Sequence, residues 1–538
     1  MAEENASAGA SAAVEAPAAP AATQEPELKS ASWADEVEEG GDGVDALSAS
    51  AAKLDLDVKG APDLQSGALI VREAGCAVDE PKTQPVTSFS ALNIDDDLKK
   101  AIANVKGWST MSKIQQIGLP LVLQDPPRNL IGQAQAGTGK TGTFVISMLA
   151  RITAEKKPST PQAIILAVTQ ELCTQIAQEV NALGSVKGIK ARRVMSARTK
   201  TAPIAEGSAA APWKLEDGED FDEQVVVGTP GMVKNYLKNA SGRKKRKPMI
   251  DASECRVLIL DEADKMVQLP PHGFGQDVQE IRDAILKKRK DKPCQILLFS
   301  ATFTENVRQI ARQFVGGHDN DESKYHEITL RKKDVTLDKV VNFFVYIGDE
   351  NDRNEEEMYQ KKFEAITDIW ANLSQLSEGQ SVIFCNRKDR VQRLADYLRG
   401  ENFQVGQIHG DMDKRERDVV LAEFKRGERK ALVSTDVTSR GIDNPNVTLV
   451  INVDLPINRE READPENFVH RIGRSGRWTK KGASVSLVAR SPAFKDLGLM
   501  KDIERSLFAN ADVNRPLIPV DDISHIEEKI ISALESSA

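Results

Sequence analysis

The sequence predicts an α/β protein of two domains, each built around a parallel sheet. The chain has 538 residues, which is more than one ordinary hydrophobic core can organise. Short runs rich in Val, Ile and Leu alternate with helical segments, and this alternation is typical of parallel strands joined by crossover helices. The pattern is interrupted at a polar stretch, LRKKDVTLDK (330–339), and then resumes. We therefore expect two α/β domains of similar size joined by a linker.

The apolar runs are the candidate strands. In the first domain they are RNLIGQ, QAIILAV, EQVVVGTP, CRVLILD and CQILLFS, and in the second they are SVIFCN, VGQIHG, KALVSTD, VTLVINVD and ASVSLVA. The expected boundaries are 85–332 for the first domain, 333–342 for the linker, 343–525 for the second domain and 526–538 for a C-terminal tail. Residues 1–84 are rich in Ala, Ser, Glu, Pro and Gly. We expect them to be a disordered extension, because such a segment buries too little apolar surface to offset its ordering entropy.

Composition argues against several classes of protein. The net charge of -9 argues against a protein that is basic over its whole surface, although a local cluster of Lys and Arg still suits nucleic acid. The five cysteines lack CxxC spacing, which indicates a reducing compartment without a disulfide framework or a zinc site. The first residues lack the apolar segment of a secretory signal, and no apolar run approaches about 18 residues, so we expect neither a signal nor a membrane span. The basic run Arg243–Lys247 suits an RNA contact, a nuclear signal or a solvated loop.

A glycine-rich segment, AQAGTGKTGTF (134–144), follows the first candidate strand. The usual phosphate loop reads G-x-x-x-x-G-K-[ST], and here alanine replaces the first glycine. The backbone N–H groups of such a loop and the following helix N-terminus face phosphate oxygens. Lys140 is expected to reach the β- and γ-phosphates, and the Thr141 hydroxyl to ligate Mg²⁺. The residues expected to bind nucleotide here are Ala134, Gln135, Ala136, Gly137, Thr138, Gly139, Lys140 and Thr141.

A run of acids, Asp261-Glu262-Ala263-Asp264, follows the apolar segment RVLIL. Burying a carboxylate at a strand end is costly unless it has a partner, and Mg²⁺ is such a partner. Asp261 is expected to hold the ion, and Glu262 to orient the attacking water and accept its proton. Alternatively, these acids decorate a helix N-terminus, which the helix dipole favours. The pairing of these acids with a phosphate loop at the right distance earlier in the chain favours the metal-site interpretation. Ser300 and Thr302, after QILLFS, are small hydroxyls expected to bond Asp261 or Glu262.

The second domain carries arginines suited to phosphoryl transfer. HRIGRSGR (470–477) supplies Arg474 and Arg477, which lie three residues apart and would share a helix face. Planar guanidinium groups suit the charge of a transferring phosphoryl group. If both domains close on one nucleotide, these arginines act as fingers in cis. STDVTSRGID adds Thr435, Arg440 and Asp443 on the same face, with Asp443 expected at the nucleotide.

Together these motifs resemble those of the DEAD-box RNA helicases. The similarity rests on the alanine-led phosphate loop, the Asp-Glu-Ala-Asp box, the Ser-Ala-Thr motif and HRIGRSGR, and it spans about 85–525. It implies two tandem RecA-like domains and an RNA-stimulated ATPase that uses ATP and Mg²⁺. It also implies an adenine-reading segment, matched by SFSALNIDDDLKKAIANVKGWSTMSKIQ (88–115). There Phe89 is the stacking aromatic, and Gln115 matches the donor and acceptor of adenine N6 and N7.

The family's RNA-contact motifs are present with changes. The resemblance implies RNA contacts at Thr169 and Gln170, at Thr229, Pro230 and Gly231, and at Thr435. The first motif usually reads Thr-Arg-Glu-Leu, and here Gln170 replaces the arginine. The second usually ends in arginine, and here it ends in Met232. Lys414 stands where glutamine is common. Two candidate phosphate contacts have therefore lost their charge.

The segments SKIQQIGLPLVLQDPPRNLIGQAQAGTGKT and ADPENFVHRIGR are similar to the DEAD-box subfamily that acts in mRNA export at the cytoplasmic face of the nuclear pore. That resemblance implies an N-terminal extension before the core, single-stranded RNA in messenger ribonucleoproteins as target, and location in cytoplasm and nucleus. It also implies two partners, a filament nucleoporin and an activator bound to inositol hexakisphosphate. We expect a monomer.

The function that the sequence favours is an ATP-dependent RNA helicase that separates strands locally and remodels ribonucleoproteins. The alternative of an ATP-dependent RNA clamp with suppressed turnover is also compatible with the sequence, because the same residues would close the two domains in a helicase and in a clamp. A DNA translocase is disfavoured because the extra motifs of that class are not found. A P-loop kinase or GTPase is disfavoured by the second domain with Arg474 and Arg477.

Overall fold

The computed structural model describes residues 69–76, 83–135, 137–194, 221–238, 249–269, 273–289, 292–317, 319–330, 340–372, 379–436, 444–458, 460–476, 482–508 and 517–535. Within these ranges the chain forms two α/β domains, each centred on its own sheet. The α/β class predicted from the alternation of strands and helices is confirmed.

The sheet of the first domain has eight strands in the described ranges. They are β1 (Leu69–Arg72), β2 (Asn129–Gln133), β3 (Ala163–Leu166), β4 (Ala191–Arg193), β5 (Val225–Gly228), β6 (Val257–Asp261), β7 (Gln295–Ser300) and β8 (Tyr325–Leu330). Their order is β1-β8-β2-β7-β6-β3-β5-β4. All neighbours are parallel except β1 and β8, which pair antiparallel with Arg72 opposite Glu327.

The sheet of the second domain has seven strands over the same described part of the chain, and all its pairs are parallel. They are β9 (Val340–Ile347), β10 (Gln380–Phe384), β11 (Val405–Ile408), β12 (Ala431–Ser434), β13 (Val447–Asn452), β14 (Gly482–Ala489) and β15 (Ile518–Val520). Their order is β11-β12-β10-β13-β14-β9-β15.

Helices follow most strands. In the first domain they are α1 (Asp96–Lys100), α2 (Lys113–Val122), α3 (Lys140–Arg151), α4 (Gln170–Gly184), α5 (Pro230–Leu237), α6 (Ala263–Val267), α7 (Gly275–Lys288) and α8 (Glu305–Gly316). In the second they are α9 (Glu355–Ala371), α10 (Lys388–Gly400), α11 (Lys414–Arg426), α12 (Pro465–Ile472), α13 (Asp496–Phe508) and α14 (Ile526–Glu535). A π-helical turn (Ala101–Val105) continues α1. None of the helices in the described ranges has the length and apolar character that a bilayer crossing needs.

Continuous burial explains why the central strands read as unbroken apolar runs. In β6, Val257 and Ile259 face one hydrophobic core, while Leu258 and Leu260 face a second core on the other side of the sheet. Helices cover both faces, so alternating polar residues have no solvent to meet. The second sheet is covered in the same way, with separate cores on its two faces.

The apolar runs named as candidate strands all form strands, but other strands were missed. β4 reads Ala-Arg-Arg, and β8 contains buried His326 and Glu327, so neither stands out as an apolar run. β1, β9 and β15 were also missed. Buried polar side chains explain β4 and β8, and short edge strands explain β1 and β15, because their stability comes from pairing rather than from apolar pattern. β9 is a buried apolar strand inside the sheet, and its first residues fell within the linker expected at 333–342.

Three expected boundaries differ from the structure. The extension expected over 1–84 overlaps β1, whose Val71 is buried against the first core, while 1–68 lies outside the described residues. The linker expected at 333–342 overlaps β9, which begins at Val340 because Val340 pairs with Gly482 of β14. The tail expected at 526–538 forms α14, because Ile526 and Ile530 are fully buried in the second domain's core. The sequence alone did not reveal that these short apolar segments find partners.

Candidate ATP and RNA site

The phosphate loop starts at the carboxyl end of β2, beside the end of β7. The Ala134 N–H donates to the Ser300 carbonyl at 3.1 Å, which ties the loop to the Ser-Ala-Thr segment. Ala134 is buried in the first core, so a small apolar side chain fits where the common loop pattern has glycine. Ligands bind at this edge in open parallel sheets.

The loop needs its glycines. Gly137 and Gly139 have φ of 74° and 94°, a left-handed conformation that other residues adopt at a cost. At Gly139 an added Cβ would also lie 2.9 Å from Gln115 Nε2. The Lys140 ammonium donates to the carbonyls of Ala134 and Gln135 at 2.7 and 2.8 Å, so the loop curls around this cation.

α3 begins directly at Lys140, and the N–H groups of its first turn, which have no partner within the helix, suit a phosphate. Thr141 lies in the first turn of this helix and is half-buried. The Thr138 hydroxyl donates to the Gln135 carbonyl at 2.7 Å. Ala136 lies outside the described residues.

The amide of Gln115 contacts the loop. Its Oε1 accepts from the Ser112 N–H at 2.9 Å, and its Nε2 lies 3.5 Å from the Gly139 carbonyl. Phe89, expected to stack on adenine, is buried and stacks on Trp108, with ring centroids 6.3 Å apart. Trp108 is half-buried and packs against Gly142 of α3. Trp108 was not predicted as a site residue from the sequence, although an aromatic beside a phosphate-loop helix is a candidate for base stacking. The adenine-contact role of Phe89 stays a prediction.

The acidic box lies at the end of β6. Asp261 is buried, and its Oδ1 accepts the Glu262 N–H at 3.0 Å. Glu262 itself has φ 55° and ψ 48°, a left-handed conformation for a residue with a side chain. Such conformations cost on the order of 1–3 kcal/mol and cluster at functional sites. This turn lies at Glu262, the residue predicted from the sequence to be the general base.

The carboxylates of this box are buried close to one another, and this burial shifts their pKa values. Burial, with the nearby Glu262 charge, raises the pKa of Asp261 to about 7, while Lys140 and Arg474 act in the opposite direction. Burial and Glu262 also raise the pKa of Asp264 to about 7. Asp264 Oδ2 makes no hydrogen bond to the described part of the protein. Carboxylate and hydroxyl oxygens are the ligands that Mg²⁺ prefers, so this donor set fits the ion.

Ser300 bonds a different acid from the one expected. Its hydroxyl donates to Asp264 Oδ1 at 2.7 Å and accepts the Thr302 N–H at 3.2 Å. Asp264 is fully buried in the first turn of α6, beside β7, and needs that donor, whereas Asp261 is already served by the Glu262 N–H. The serine therefore connects the Ser-Ala-Thr segment to the acidic box through Asp264.

α12 of the second domain reaches this box. His470 Nε2 lies 3.5 Å from Glu262 Oε2, and Lys265 Nζ lies 3.3 Å from Glu466 Oε2. Arg474 follows α12, is buried, and donates from Nε to the His470 carbonyl at 3.0 Å. The positive charge of Arg474 acts to lower the pKa of Asp261, against the effect of burial. His470 was missed as a site residue, while Arg477, Arg440 and Asp443 lie outside the described residues.

The expected RNA contacts of the first domain lie side by side. Thr169 caps the N-terminus of α4, accepting the Leu172 N–H at 3.2 Å. Thr229 precedes α5, whose first residue is Pro230 and second is Gly231. β3 and β5 are neighbours, and Gln170 Nε2 lies 3.5 Å from the Thr229 hydroxyl. Two adjacent helix N-termini at one sheet edge suit the phosphates of a nucleic acid.

Met232 and Gln170 are the two neutral residues that stand where the family motifs usually have arginine. The structure shows what surrounds each of them. Met232 packs against the hydrophobic core behind α5. Beside Gln170, Glu171 is buried and forms an ion pair at 3.3 Å with Arg417 of α11. Thr435 follows β12 in the second domain, with its N–H 3.4 Å from the Ile408 carbonyl. The domains therefore also touch beside the expected RNA contacts.

Comparisons with known proteins agree with this geometry. The family model DEAD/DEAH box helicase matches residues 112–310, and the model Helicase conserved C-terminal domain matches residues 361–479. The ATP-dependent RNA helicase DBP5 of Mycosarcoma maydis is 34% identical over 448 residues, which are 83% of this chain and 85% of that protein.

Two solved structures from S. cerevisiae are similar to the whole two-domain region. Dbp5 bound to RNA and ADP BeF3 has a TM-score of 0.68 and 30% identity, covering 84% of this chain and 100% of that chain. A Dbp5 variant bound to Nup159, a Gle1 variant, IP6 and ADP has a TM-score of 0.51 and 29% identity, covering 82% of this chain and 100% of that chain.

The matches span both domains, and the acidic box, the phosphate loop and the segment from His470 to Arg474 lie within the regions matched by the two family models. The named relatives are ATP-dependent RNA helicases. The chain belongs to the DEAD/DEAH box helicase family and is an ATP-dependent RNA helicase, an enzyme that hydrolyses ATP.

Proposed function

We propose that this helicase hydrolyses ATP in the cleft between its two domains, with the phosphate loop on one side and Arg474 on the other. The observation that supports it is the contact between Glu262 and His470 across that cleft. Glu262 accepts the proton of the attacking water, and Arg474 stabilises charge on the transferring phosphoryl group. Arg477 and Asp443 complete the nucleotide contacts of the second domain.

The nucleotide is held mainly by the first domain. The loop from Ala134 to Thr141 surrounds the phosphates, and Lys140 exchanges its loop carbonyls for phosphate oxygens. Gln115 reads the adenine edge, and Phe89 supports the base. Thr141 and Asp261 would hold Mg²⁺, which when bound would supply positive charge beside the phosphate oxygens. This assignment is supported by the raised pKa of the buried Asp261 carboxyl, since burial disfavours its charge until a cation is near.

Single-stranded RNA lies across both domains. Thr169, Gln170, Thr229, Pro230 and Gly231 contact it from the first domain, and Thr435 from the second. Contacts from helix N-termini go to phosphates, so sequence preference is slight and affinity depends on salt. Closure of the cleft bends one RNA strand, and a duplex cannot accommodate this bend. The enzyme therefore separates RNA strands locally.

In the cell, the enzyme remodels messenger ribonucleoproteins during mRNA export. This is supported by the similarity to S. cerevisiae Dbp5, including the structure with Nup159, Gle1 and IP6. A filament nucleoporin and an activator that carries inositol hexakisphosphate are the partners, and the protein works in cytoplasm and nucleus, at the cytoplasmic face of the nuclear pore. The N-terminal extension precedes a monomeric two-domain core.

The test measures ATP turnover with Mg²⁺ and no nucleic acid, with single-stranded RNA, and with DNA of the same sequence. We expect RNA to stimulate steady turnover and DNA to fail, because DNA lacks the 2′-hydroxyl. The Glu262→Gln variant is the control for contaminating ATPase. Equal stimulation by DNA would contradict the RNA assignment. A single burst without steady turnover would identify a clamp instead.

A further inference from the structure

A buried carboxylate, Glu327 on β8, sits among three arginines. Arg312 Nε lies 3.0 Å from Glu327 Oε2, Arg308 Nη1 lies 3.2 Å from Oε1, and Arg72 Nη2 lies 3.3 Å from Oε2. Glu327 is only 3% exposed. Burial alone would raise the pKa of Glu327, but the hydrogen bonds and charges of the arginines bring it below its ordinary value. Glu327 is therefore a fixed negative charge that orients the guanidinium groups around it.

Arg308 differs from Arg72 and Arg312 because its fork also reaches Gln133, at the end of β2. Nη1 donates to Glu327 and, at 2.8 Å, to the Thr329 hydroxyl. Nη2 donates to Gln133 Oε1 at 3.1 Å. Arg312 has both its described hydrogen bonds on Glu327. Arg308 thus joins the charged cluster to the end of β2.

Gln133 is the residue immediately before the phosphate loop. Its side chain is 3% exposed, and its Nε2 donates to the Ala301 carbonyl at 3.3 Å. The amide therefore spans from the base of the loop to the Ser-Ala-Thr segment, parallel to the backbone bond between Ala134 and Ser300. With its oxygen held by Arg308, the amide has one orientation, because only the nitrogen can then face Ala301.

We propose that Arg308 is a positioning residue for ATP hydrolysis. It holds the Gln133 amide, and through that amide it sets the position of the phosphate loop relative to Ser300–Thr302. Ser300 in turn bonds Asp264 of the acidic box, so the groups on both sides of the γ-phosphate share this support. Arg308 touches neither nucleotide nor RNA in this assignment, and the inference rests on the ATP site proposed above.

The experiment compares Arg308→Met with Arg312→Met in RNA-stimulated ATP hydrolysis. Both variants keep the aliphatic stem and both remove an ion pair to Glu327, but only Arg308→Met releases Gln133. We expect Arg308→Met to lower kcat at least about tenfold with KM for ATP within about threefold, because a 1 Å misplacement can cost about 100-fold in rate. Arg312→Met should keep kcat within about twofold while losing similar thermal stability.

A double-variant cycle tests the route through Gln133. Gln133→Leu should lower kcat about as much as Arg308→Met, and the double variant should lose no more than either single variant. If Arg308→Met does not fold, Arg308→Lys takes its place, since it keeps a charge for Glu327 but cannot span to Gln133.

Equal losses of kcat in the Arg308 and Arg312 variants, or multiplied losses in the double variant, would overturn the positioning role. Wild-type protein that hydrolyses no ATP with RNA would instead contradict the proposed function. The two failures are therefore distinguishable, because the first is judged only against an active wild-type enzyme.

Discussion

Glu262 of the first domain and His470 of the second meet across the cleft, with Oε2 and Nε2 3.5 Å apart. Glu262 is also the residue held in a left-handed backbone conformation at the end of β6. The residue expected to act as base is thus positioned by a strained turn and contacted by the other domain. If Glu262 is the base, one contact links the closure of the domains to the geometry of hydrolysis.

The first prediction concerns Glu262→Gln. The change keeps shape and hydrogen bonding but removes basicity, so we expect hydrolysis to fall about 10²–10⁴-fold. RNA binding in the presence of ATP should persist or tighten, because the closed state is trapped. Glu466→Gln is the matched control, since Glu466 pairs with Lys265 in the same cleft. Its effect should be about fivefold at most, as such pairs contribute up to about 1 kcal/mol. Near-normal turnover in Glu262→Gln would rule out the assignment.

The second prediction concerns Arg474→Lys. Lysine keeps the charge but loses the planar fork of the guanidinium group. We expect kcat to fall much more than nucleotide affinity, because Arg474 acts mainly in the closed, reacting state. The control is Arg417→Lys, which weakens another contact between the domains, to Glu171, away from the acidic box. Steady-state kinetics and nucleotide binding give both quantities. Equal losses of both in Arg474→Lys would make it an ordinary ground-state ligand.

The third prediction concerns Gln170→Arg. Gln170 is half-buried at the N-terminus of α4, beside Thr229, where an added cation would face an RNA phosphate. RNA should bind more tightly, and the slope of log K against log salt should change by about -0.7 for one added phosphate contact. The gain should be similar for unrelated sequences, because phosphate contacts carry no base information.

The matched control for that measurement is Gln178→Arg, an exposed position about 12 Å further along the same helix. Its salt dependence should stay at the wild-type slope. Affinities are measured across a salt series with a non-hydrolysable ATP analogue. An unchanged slope in Gln170→Arg would mean either that Gln170 does not face the RNA backbone or that a basic residue such as those in Arg243–Lys247 already fills the site. That run lies outside the described residues.

The fourth prediction concerns pH and His326. Burial lowers the pKa of His326 to about 4, helped by Arg128 and Arg72 and opposed by Glu73. His326 takes up a proton near pH 6.5 in the unfolded chain but only near pH 4 in the folded protein. The free energy of unfolding therefore rises with pH between about 4 and 6.5, and this stability is lost as the pH falls. At pH 4 and below, this difference in the pKa of His326 lowers the free energy of unfolding by roughly 3 kcal/mol relative to neutral pH.

His326→Asn keeps an acceptor for the Ala74 N–H, which lies 3.1 Å from His326 Nδ1, but it cannot titrate. The free energy of unfolding in denaturant should therefore depend less on pH between about 4 and 6.5 in this variant. His525→Asn, at an exposed histidine of the second domain, is the control and should keep the wild-type pH dependence. An identical pH dependence in wild type and His326→Asn would contradict the buried neutral histidine.

The central strands could be predicted because both of their faces are covered by helices. A strand that is buried on both faces has a continuous apolar sequence, such as RVLIL. One strand that was missed, β8, carries buried polar residues whose partners are distant in the chain. Glu327 in β8 is stable only because Arg72, Arg308 and Arg312 come to it from β1 and α8. The local sequence pattern of β8 does not indicate which distant residues will pair with it.

The sequence by itself determined the chemistry, since the types and order of residues at the strand ends identified an ATP site and a helicase. The distances between those strand ends could not be predicted from the sequence. Only the tertiary structure decided that Ser300 bonds Asp264 rather than Asp261, that Phe89 packs on Trp108, and that His470 meets Glu262. The physical reason is that parallel crossovers bring strand ends together from distant parts of the chain, and side-chain packing then selects among several chemically suitable partners.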